Sequence, residues 1–259
     1  RREAGFFEAD VDRRWSWTEI DLNAIRHNTS AVKQRIDNGV RLMAVVKADG
    51  YGHGAVRCAK TALNSGADYL AGHGEEAIEL REALVNAPIL VLSQPPETAI
   101  PLLLAYKVMP SVYTSEFAIQ YAEAADAYGV RAPYHLAVNT GMNRIGVRHD
   151  EVVEFMGQVS FHRALDLVGT FTHFATADSA ETLDFQIQVK RFIEPSRRCA
   201  RQASTPASCM RRTRPRPSAI LRAVRHGAPG IAMYGLHPSG VTRPMIDLHP
   251  AMSVHARIT

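Results

Sequence analysis

Short apolar runs alternate with amphipathic stretches along most of the chain. Four apolar runs, over residues 41–46, 88–92, 134–138 and 165–172, have the length and flanking turn residues of buried strands. Residues 55–65 have the pattern of a helix that follows the first run. Strands that alternate with helices indicate a parallel sheet, and the number of short units favours a closed α/β barrel of the (β/α)8 type.

Residues at the ends of two helices support this reading. Ser115 is expected to cap a helix over residues 115–129 that ends at Gly129, and Asp21 is expected to cap another helix. The expected apolar faces are Phe117, Tyr121, Ala124 and Tyr128 in the first helix, and Leu22, Ile25, Val32 and Ile36 in the second.

One segment departs from the pattern. Residues 195–217 have neither the apolar period of 2 that is typical of a strand nor the period of 3.6 that is typical of a helix, and they predict a loop or disorder. Residues 197–225 hold nine arginines and no acidic residue, so the net charge of +4 is a local property of this segment. The basic balance therefore does not predict a nucleic-acid partner. A strand-like apolar run resumes over residues 228–235.

Composition excludes several classes of protein. A chain of 259 residues with 46% hydrophobic and 22% charged residues is globular. It has no apolar run long enough for a membrane span, and residues 1–17 lack the apolar core of a signal peptide. Cys58, Cys199 and Cys209 have neither metal-site spacing nor an even count, which favours a reduced, cytoplasmic setting and no metal.

Lys47 is the first residue with candidate chemistry. It follows the strand predicted over residues 41–46 and begins a glycine-rich turn that contains Tyr51. Active sites of α/β barrels form at this end of the strands, where a partly desolvated lysine can attack an aldehyde cofactor. The Tyr51 hydroxyl could meet a phosphate. The alternative is a solvent-facing lysine at a strand end.

Several motifs in a fixed order make the chain resemble the bacterial alanine racemase family. The resemblance implies an α/β barrel, a β-rich C-terminal domain and the cofactor pyridoxal 5′-phosphate (PLP). The motifs are residues 17–22 (WTEIDL), 44–54 (AVVKADGYGHG), 139–146 (NTGMNRIG), 172–178 (THFATAD), 229–236 (PGIAMYGL) and 249–253 (HPAMS).

The resemblance implies a role for each matching residue. Lys47 would form a Schiff base with PLP and act as one of two acid/base groups at the substrate α-carbon. Arg144 would lie near the phenolic oxygen of PLP and the substrate carboxylate, since a planar guanidinium suits anionic oxygens. His173 would pack beside the cofactor ring. The phosphate would be bound by Tyr51, Gly230 and Ile231, with Ser218 as a weak further candidate.

The chain also departs from the family pattern. Ala137 stands where family members usually have a lysine that supports the arginine, and Ala228 stands where an arginine faces the pyridine nitrogen. The usual serine-containing phosphate loop is replaced by the arginine-rich segment. The family's catalytic tyrosine, the second base, has no counterpart within the 259 residues.

Two origins of the segment at 195–228 are considered. In the first, the segment is a shifted reading frame: residues 209–214 can be written with codons that, regrouped, encode His-Ala-Ala-Asn-Ser, which resembles the missing phosphate loop. The competing origin is a basic insertion that binds an acidic partner; it lacks the interleaved aromatic residues of nucleic-acid stacking sites. The coding DNA distinguishes the two.

The sequence therefore predicts a PLP-binding barrel over residues 1–240 and the beginning of a C-terminal β-domain over residues 241–259. The resemblance implies a cytoplasmic, homodimeric isomerase that interconverts L- and D-alanine for cell-wall peptidoglycan, without nucleic-acid or membrane partners. Two alternatives remain: a non-catalytic PLP-binding barrel of the kind that handles the cofactor itself, and an inactive racemase fragment.

Overall fold

A parallel sheet of seven strands organises the fold. The computed structural model describes residues 15–36, 40–179, 182–202, 230–240 and 246–258. Strands β2 to β6 pair in chain order, and β6 also pairs with β7 and β8. The strands are β2 (Met43–Val45), β3 (Tyr69–Gly72), β4 (Ile89–Val91), β5 (Met109–Val112), β6 (Ala132–Asn139), β7 (Val147–Arg148) and β8 (Leu165–Phe171). Every pair in this sheet is parallel.

Helices connect the strands and cover the outside of the sheet. They are α1 (Leu22–Arg35), α2 (Lys47–Gly52), α3 (Ala55–Leu63), α4 (Gly74–Glu82), α5 (Ile100–Ala105), α6 (Ser115–Ala127), α7 (Val152–Val159) and α8 (Leu183–Gln202). Strands β4 and β5 are buried along their whole length, as expected when helices cover a parallel sheet. None of the helices in the described part of the chain combines the length and apolarity needed to cross a bilayer. The fold is the α/β barrel that the sequence predicts.

The structure confirms the predicted strands with shifted ends and corrects one helix. Asp21 caps α1, since its side chain accepts from the Asn23 amide at 2.7 Å. The cap of α6 is Thr114 instead of Ser115, because the Thr114 hydroxyl accepts from Phe117. Tyr128 was expected in the buried face but is 63% exposed. It lies at the C-cap, after the last turn that packs on the sheet.

Two expectations about the last third of the chain are wrong for the residues of it that the structure describes. Residues 228–235 were expected to form a strand, but Ile231–Tyr234 is a short 3-10 turn between Gly230 and Gly235. Residues 195–217 were expected to lack regular structure, but α8 continues through Pro195 to Gln202. Arg, Ala and Gln are good helix formers and carry the helix past the proline. Residues 203–229, including Ser218 and Ala228, lie outside the described residues.

Parts of the chain that are distant in sequence are joined beside α1. Strand β1 (Ser16–Ile20) pairs antiparallel with β9 (Met252–Ala256). The buried Asn28 side chain donates to the carbonyls of Met233 and His249 at 3.1 and 2.8 Å, and accepts from the His249 amide at 2.8 Å. These bonds attach the turn Ile231–Tyr234 and the segment before β9 to the first helix of the barrel.

Candidate cofactor-binding site

The predicted site residues follow the carboxyl ends of barrel strands. Lys47 comes after β2, Arg144 lies between β6 and β7, and His173 comes after β8. The carboxyl ends of parallel strands meet at one end of a barrel, so these side chains share that end. Gly230 and Ile231 begin the 3-10 turn, which is held at this end by Asn28 on α1 and by the packing of Tyr234 against Tyr51 in the Lys47 loop.

The backbone after Lys47 has an unusual conformation. Ala48, Asp49, Gly50 and Tyr51 all lie in the left-handed helical region, with φ between 51° and 60°. For residues with a Cβ this region costs on the order of 1–2 kcal/mol each. The turn brings the Lys47 Nζ atom to 5.8 Å from the centre of the Tyr51 ring. A strained backbone thus directs the candidate nucleophile and the candidate phosphate ligand to one place.

Hydrogen bonds from two neighbouring loops hold this turn. The Asp49 amide donates to Glu76 Oε1 at 3.0 Å, and the His73 amide donates to Glu76 Oε2 at 2.8 Å. The Asp49 carboxylate in turn accepts from the Ala55 amide at the start of α3, at 2.7 Å. Glu76 was not among the predicted site residues. Glu76 lies three residues after His73 at the start of a helix, which is the spacing of a capping box, but histidine is not one of the cap residues by which a sequence signals that motif.

Arg144 and His173 line a small, solvent-open cavity. Its lining consists of Ala137, Val138, Asn139, Met142, Arg144, Ile145, Phe171, Thr172 and His173. Partial burial lowers the pKa of His173, and the positive charges of Arg144 and Lys47 lower it further, against a smaller opposing effect of Asp178. The imidazole at the cavity is therefore neutral at physiological pH, beside two cations.

The loop that carries Arg144 is anchored by its own polar groups. The Asn139 side-chain oxygen accepts from the amides of Gly141 and Asn143 at 3.0 and 3.1 Å. Thr140 shares a hydrogen bond of 2.9 Å with Thr172, which joins the loop after β6 to the loop before His173. The two loops that hold Arg144 and His173 are therefore fixed relative to each other.

Ala137 occupies the wall of the cavity below Arg144. It is 2% exposed, and its methyl group offers no hydrogen bond or charge to the guanidinium. The support that the family's lysine would provide is absent at this position. Two residues earlier on the same strand face, the half-buried His135 lies against Gly169, whose lack of a side chain leaves room for the ring.

Tyr51 faces the turn that holds Gly230. A Cβ atom on Gly230 would lie 3.1 Å from the Tyr51 hydroxyl, so the absence of a side chain lets this hydroxyl approach the Gly230 backbone closely. Burial raises the pKa of Tyr51, which keeps its hydroxyl protonated and able to donate. Ile231 follows directly and begins the 3-10 turn. The geometry joins Tyr51, Gly230 and Ile231; Ser218 lies outside the described residues.

A second cluster of titratable groups lies away from this cavity, beside Asn28. The Nε2 atoms of His27 and His249 lie 3.7 and 3.3 Å from Asp247 Oδ2. The two imidazole rings stack with centroids 3.9 Å apart and planes within 6°. Each ring-nitrogen lone pair lies in the plane of its own ring, and the two stacked planes do not meet near the nitrogens, so this arrangement does not direct both nitrogens at one metal ion.

Comparisons with known proteins agree with the geometry. Residues 20–238 match the family model "Alanine racemase, N-terminal domain". The chain is 38% identical to alanine racemase 2 of Oceanobacillus iheyensis over 94% of the chain and 62% of that relative. It is 40% identical to alanine racemase of Desulforamulus reducens over 94% of the chain and 67% of that relative.

A solved structure gives the same result. Alanine racemase of Clostridium difficile 630, in complex with cycloserine, matches with a TM-score of 0.83 and 31% identity, over 95% of this chain and 69% of that one. The chain thus spans about two thirds of the length of the proteins it matches. These matches favour the interpretation of the chain as part of a racemase over its interpretation as a PLP-binding barrel that handles only the cofactor. On fold, site geometry and sequence together, the chain belongs to the alanine racemase family.

Proposed function

We propose that this chain binds PLP at the site described above and contributes one face of an alanine racemase active site. The observation that carries the proposal is the meeting of Lys47, Arg144 and His173 with the Tyr51–Gly230 pair at one end of the barrel. An amine, a guanidinium, a neutral imidazole and a tyrosine hydroxyl beside a glycine backbone suit an aldehyde cofactor that carries a phosphate.

The residues present fit PLP at both of its ends. The protonated Tyr51 hydroxyl, close to the Gly230 backbone, is a suitable donor to a phosphate oxygen. The backbone amide of Ile231 would be a further donor. Lys47 lies close enough to the Tyr51 ring to reach the aldehyde of the same bound molecule.

Each side chain has a role that follows from its chemistry. When bound, PLP would supply an electron sink for the charge that remains when the α-proton of an amino acid leaves. Lys47 would take that proton on one face and return it there. Arg144 would bind the substrate carboxylate with its planar donors. His173, being neutral, would pack beside the cofactor ring without adding a third positive charge.

The whole reaction needs a second acid/base group on the opposite face of the substrate. In this proposal that group comes from outside the residues of this chain that match the family's site, and the functional unit is a cytoplasmic homodimer that supplies D-alanine for peptidoglycan. Alanine is the proposed substrate because the family's characterised members in the comparison carry that name.

The cofactor part of the proposal is tested by titrating the purified chain with PLP. We expect the visible absorption band of lysine-bound PLP, and a peptide adduct at Lys47 after borohydride reduction and mass spectrometry. Lys47→Ala should lose both, whereas Lys60→Ala, which changes an exposed lysine on α3, should keep both. A wild-type chain with neither band nor adduct would overturn the proposal.

The catalytic part is tested in deuterated water with each enantiomer of alanine. A single base on one face removes the α-hydrogen of one enantiomer only. Proton NMR should therefore detect replacement of the α-hydrogen by deuterium in one enantiomer, and this exchange should require Lys47. Equal exchange from both enantiomers, or none while PLP is bound at Lys47, would contradict the proposed role of Lys47.

A further inference from the structure

Tyr234 connects the phosphate side of the site to the strand that carries Lys47. It is 2% exposed and ends the turn Ile231–Tyr234, three residues after Ile231. Its hydroxyl donates to the carbonyl of Val45 at 3.0 Å, two residues before Lys47. Burial raises the pKa of Tyr234 well above its ordinary value, so the hydroxyl stays protonated and remains a donor.

The same side chain packs against the left-handed turn itself. Its ring lies 5.2 Å from the Tyr51 ring and 4.5 Å from the His53 ring, measured between centroids. A Cβ atom on Gly50 would lie 3.2 Å from the Tyr234 hydroxyl, so the turn passes directly over it. Tyr234 therefore contacts the turn at Gly50, Tyr51 and His53 and the strand at Val45.

The left-handed turn needs such contacts to persist. Ala48, Asp49 and Tyr51 have positive φ values although each carries a Cβ, and this conformation is retained only where surrounding structure determines it. Glu76 holds the turn at the Asp49 amide, on one side. Tyr234 is placed on the other side, between the turn and β2.

We propose that Tyr234 is a positioning residue that holds the Lys47 turn in the conformation able to react with the cofactor aldehyde. The proposal rests on the proposed PLP site, but it assigns to Tyr234 an effect on Lys47 instead of on the phosphate. If Tyr234 is removed, the fraction of chains with a competent turn falls, and the apparent dissociation constant rises by the same factor.

The test compares Tyr234→Phe with Tyr121→Phe. Both changes remove a buried hydroxyl that donates to one backbone carbonyl, but Tyr121 bonds to Pro133 at the opposite end of β6. We expect Tyr234→Phe to weaken binding of PLP, followed by the visible band, by roughly tenfold, equivalent to about 1.4 kcal/mol. Tyr121→Phe should change binding by less than about twofold while lowering the melting temperature comparably.

Pyridoxal, which lacks the phosphate, separates the two possible roles of Tyr234. If Tyr234 positions Lys47, the borohydride-trapped adduct of pyridoxal at Lys47 should form less readily in Tyr234→Phe by a similar factor. An effect confined to PLP would assign Tyr234 to the phosphate alone and overturn the proposal. Equal behaviour of Tyr234→Phe and Tyr121→Phe would overturn it as well.

A second pair of variants tests the contact without changing Tyr234. Gly50→Ala and Gly54→Ala both place a Cβ at a positive φ in the same loop, but only the first meets the Tyr234 hydroxyl. Gly50→Ala should weaken the pyridoxal adduct several-fold more than Gly54→Ala, and equal effects would contradict the inference. If the wild-type chain forms no adduct with PLP, the proposed function fails instead, so the two failures are distinguishable.

Discussion

At the scale of single residues, the two cations of the site lower the pKa of the neighbouring imidazole. Lys47 and Arg144 both lower the pKa of His173, in addition to the larger effect of its burial. A neutral imidazole can pack beside an aromatic ring without repelling the amine and the guanidinium that the proposed chemistry needs. The protonation state of His173 is thus determined by the charges of Lys47 and Arg144 as well as by its burial.

Removal of the Arg144 charge should raise the pKa of His173. In Arg144→Leu we expect the His173 pKa to move up toward the ordinary histidine value of about 6.5, but not to reach it, because burial still disfavours the charged form. Histidine ring resonances followed by NMR against pH measure the change. Arg148→Leu is the control, since Arg148 pairs with Asp150 instead; an unchanged His173 pKa in Arg144→Leu would show that the two side chains are not coupled.

His135 should make the protein less stable in acid. Burial lowers its pKa to about 4, so below about pH 6.5 the unfolded chain takes up a proton that the folded chain does not. The stabilisation is complete above pH 6.5 and is lost as the pH falls toward 4, by at most about 3 kcal/mol. In His135→Leu, the free energy of unfolding measured with denaturant should therefore depend less on pH over that range. The same pH slope in both proteins would refute the assignment.

At the scale of elements, the loop between β6 and β7 depends on close backbone contact. Gly146 has φ +104°, and a Cβ there would lie 2.7 Å from the Asn139 amide nitrogen and 2.8 Å from the Val138 carbonyl carbon. Because these neighbours are backbone atoms of a central strand, they cannot move aside. The loop that carries Arg144 can therefore pack against the backbone of β6 only if residue 146 is glycine.

Two glycine-to-alanine changes should shift the free energy of unfolding in opposite directions. Gly146→Ala should lower the free energy of unfolding by roughly 2–5 kcal/mol, from the clash and the positive φ together. Gly157→Ala, within α7 where a Cβ meets nothing within 4 Å, should raise it by about 0.5–1 kcal/mol. Urea unfolding followed by circular dichroism measures both, and a tolerated Gly146→Ala would contradict the close packing.

At the scale of the whole molecule, contacts of long sequence separation assemble the site. Asn28 on α1 bonds to residues 205 and 221 positions away, and Tyr234 bonds to Val45 over 189 positions. The turn Ile231–Tyr234 and the Lys47 loop therefore meet only when segments from the two ends of the described chain come together. Loss of these contacts should affect distant parts of the protein together.

Asn28→Ala should separate the C-terminal segments from the barrel. The change leaves two carbonyls and one amide without their partner, which should lower the free energy of unfolding by about 3 kcal/mol. Hydrogen exchange should increase at residues 231–236 and 249–256 before it increases in β3 and β4. Asn23→Ala, an exposed position on the same helix, should change stability by less than about 0.5 kcal/mol. Uniform exchange changes in Asn28→Ala would exclude this local role.

The sequence by itself determined the barrel class, most strands, the Asp21 cap and the position of Lys47 between a buried strand and a glycine-rich turn, because apolar period, capping and glycine-rich turns are local signals. It misassigned residues 228–235, since a short apolar run does not distinguish a strand from a helical turn. Only the tertiary structure decided that Glu76 and Tyr234 hold the Lys47 turn, that Tyr51 faces Gly230, and that Arg144 acts on His173. These relations join residues far apart in the chain, and no local pattern records which distant groups come within hydrogen-bond distance.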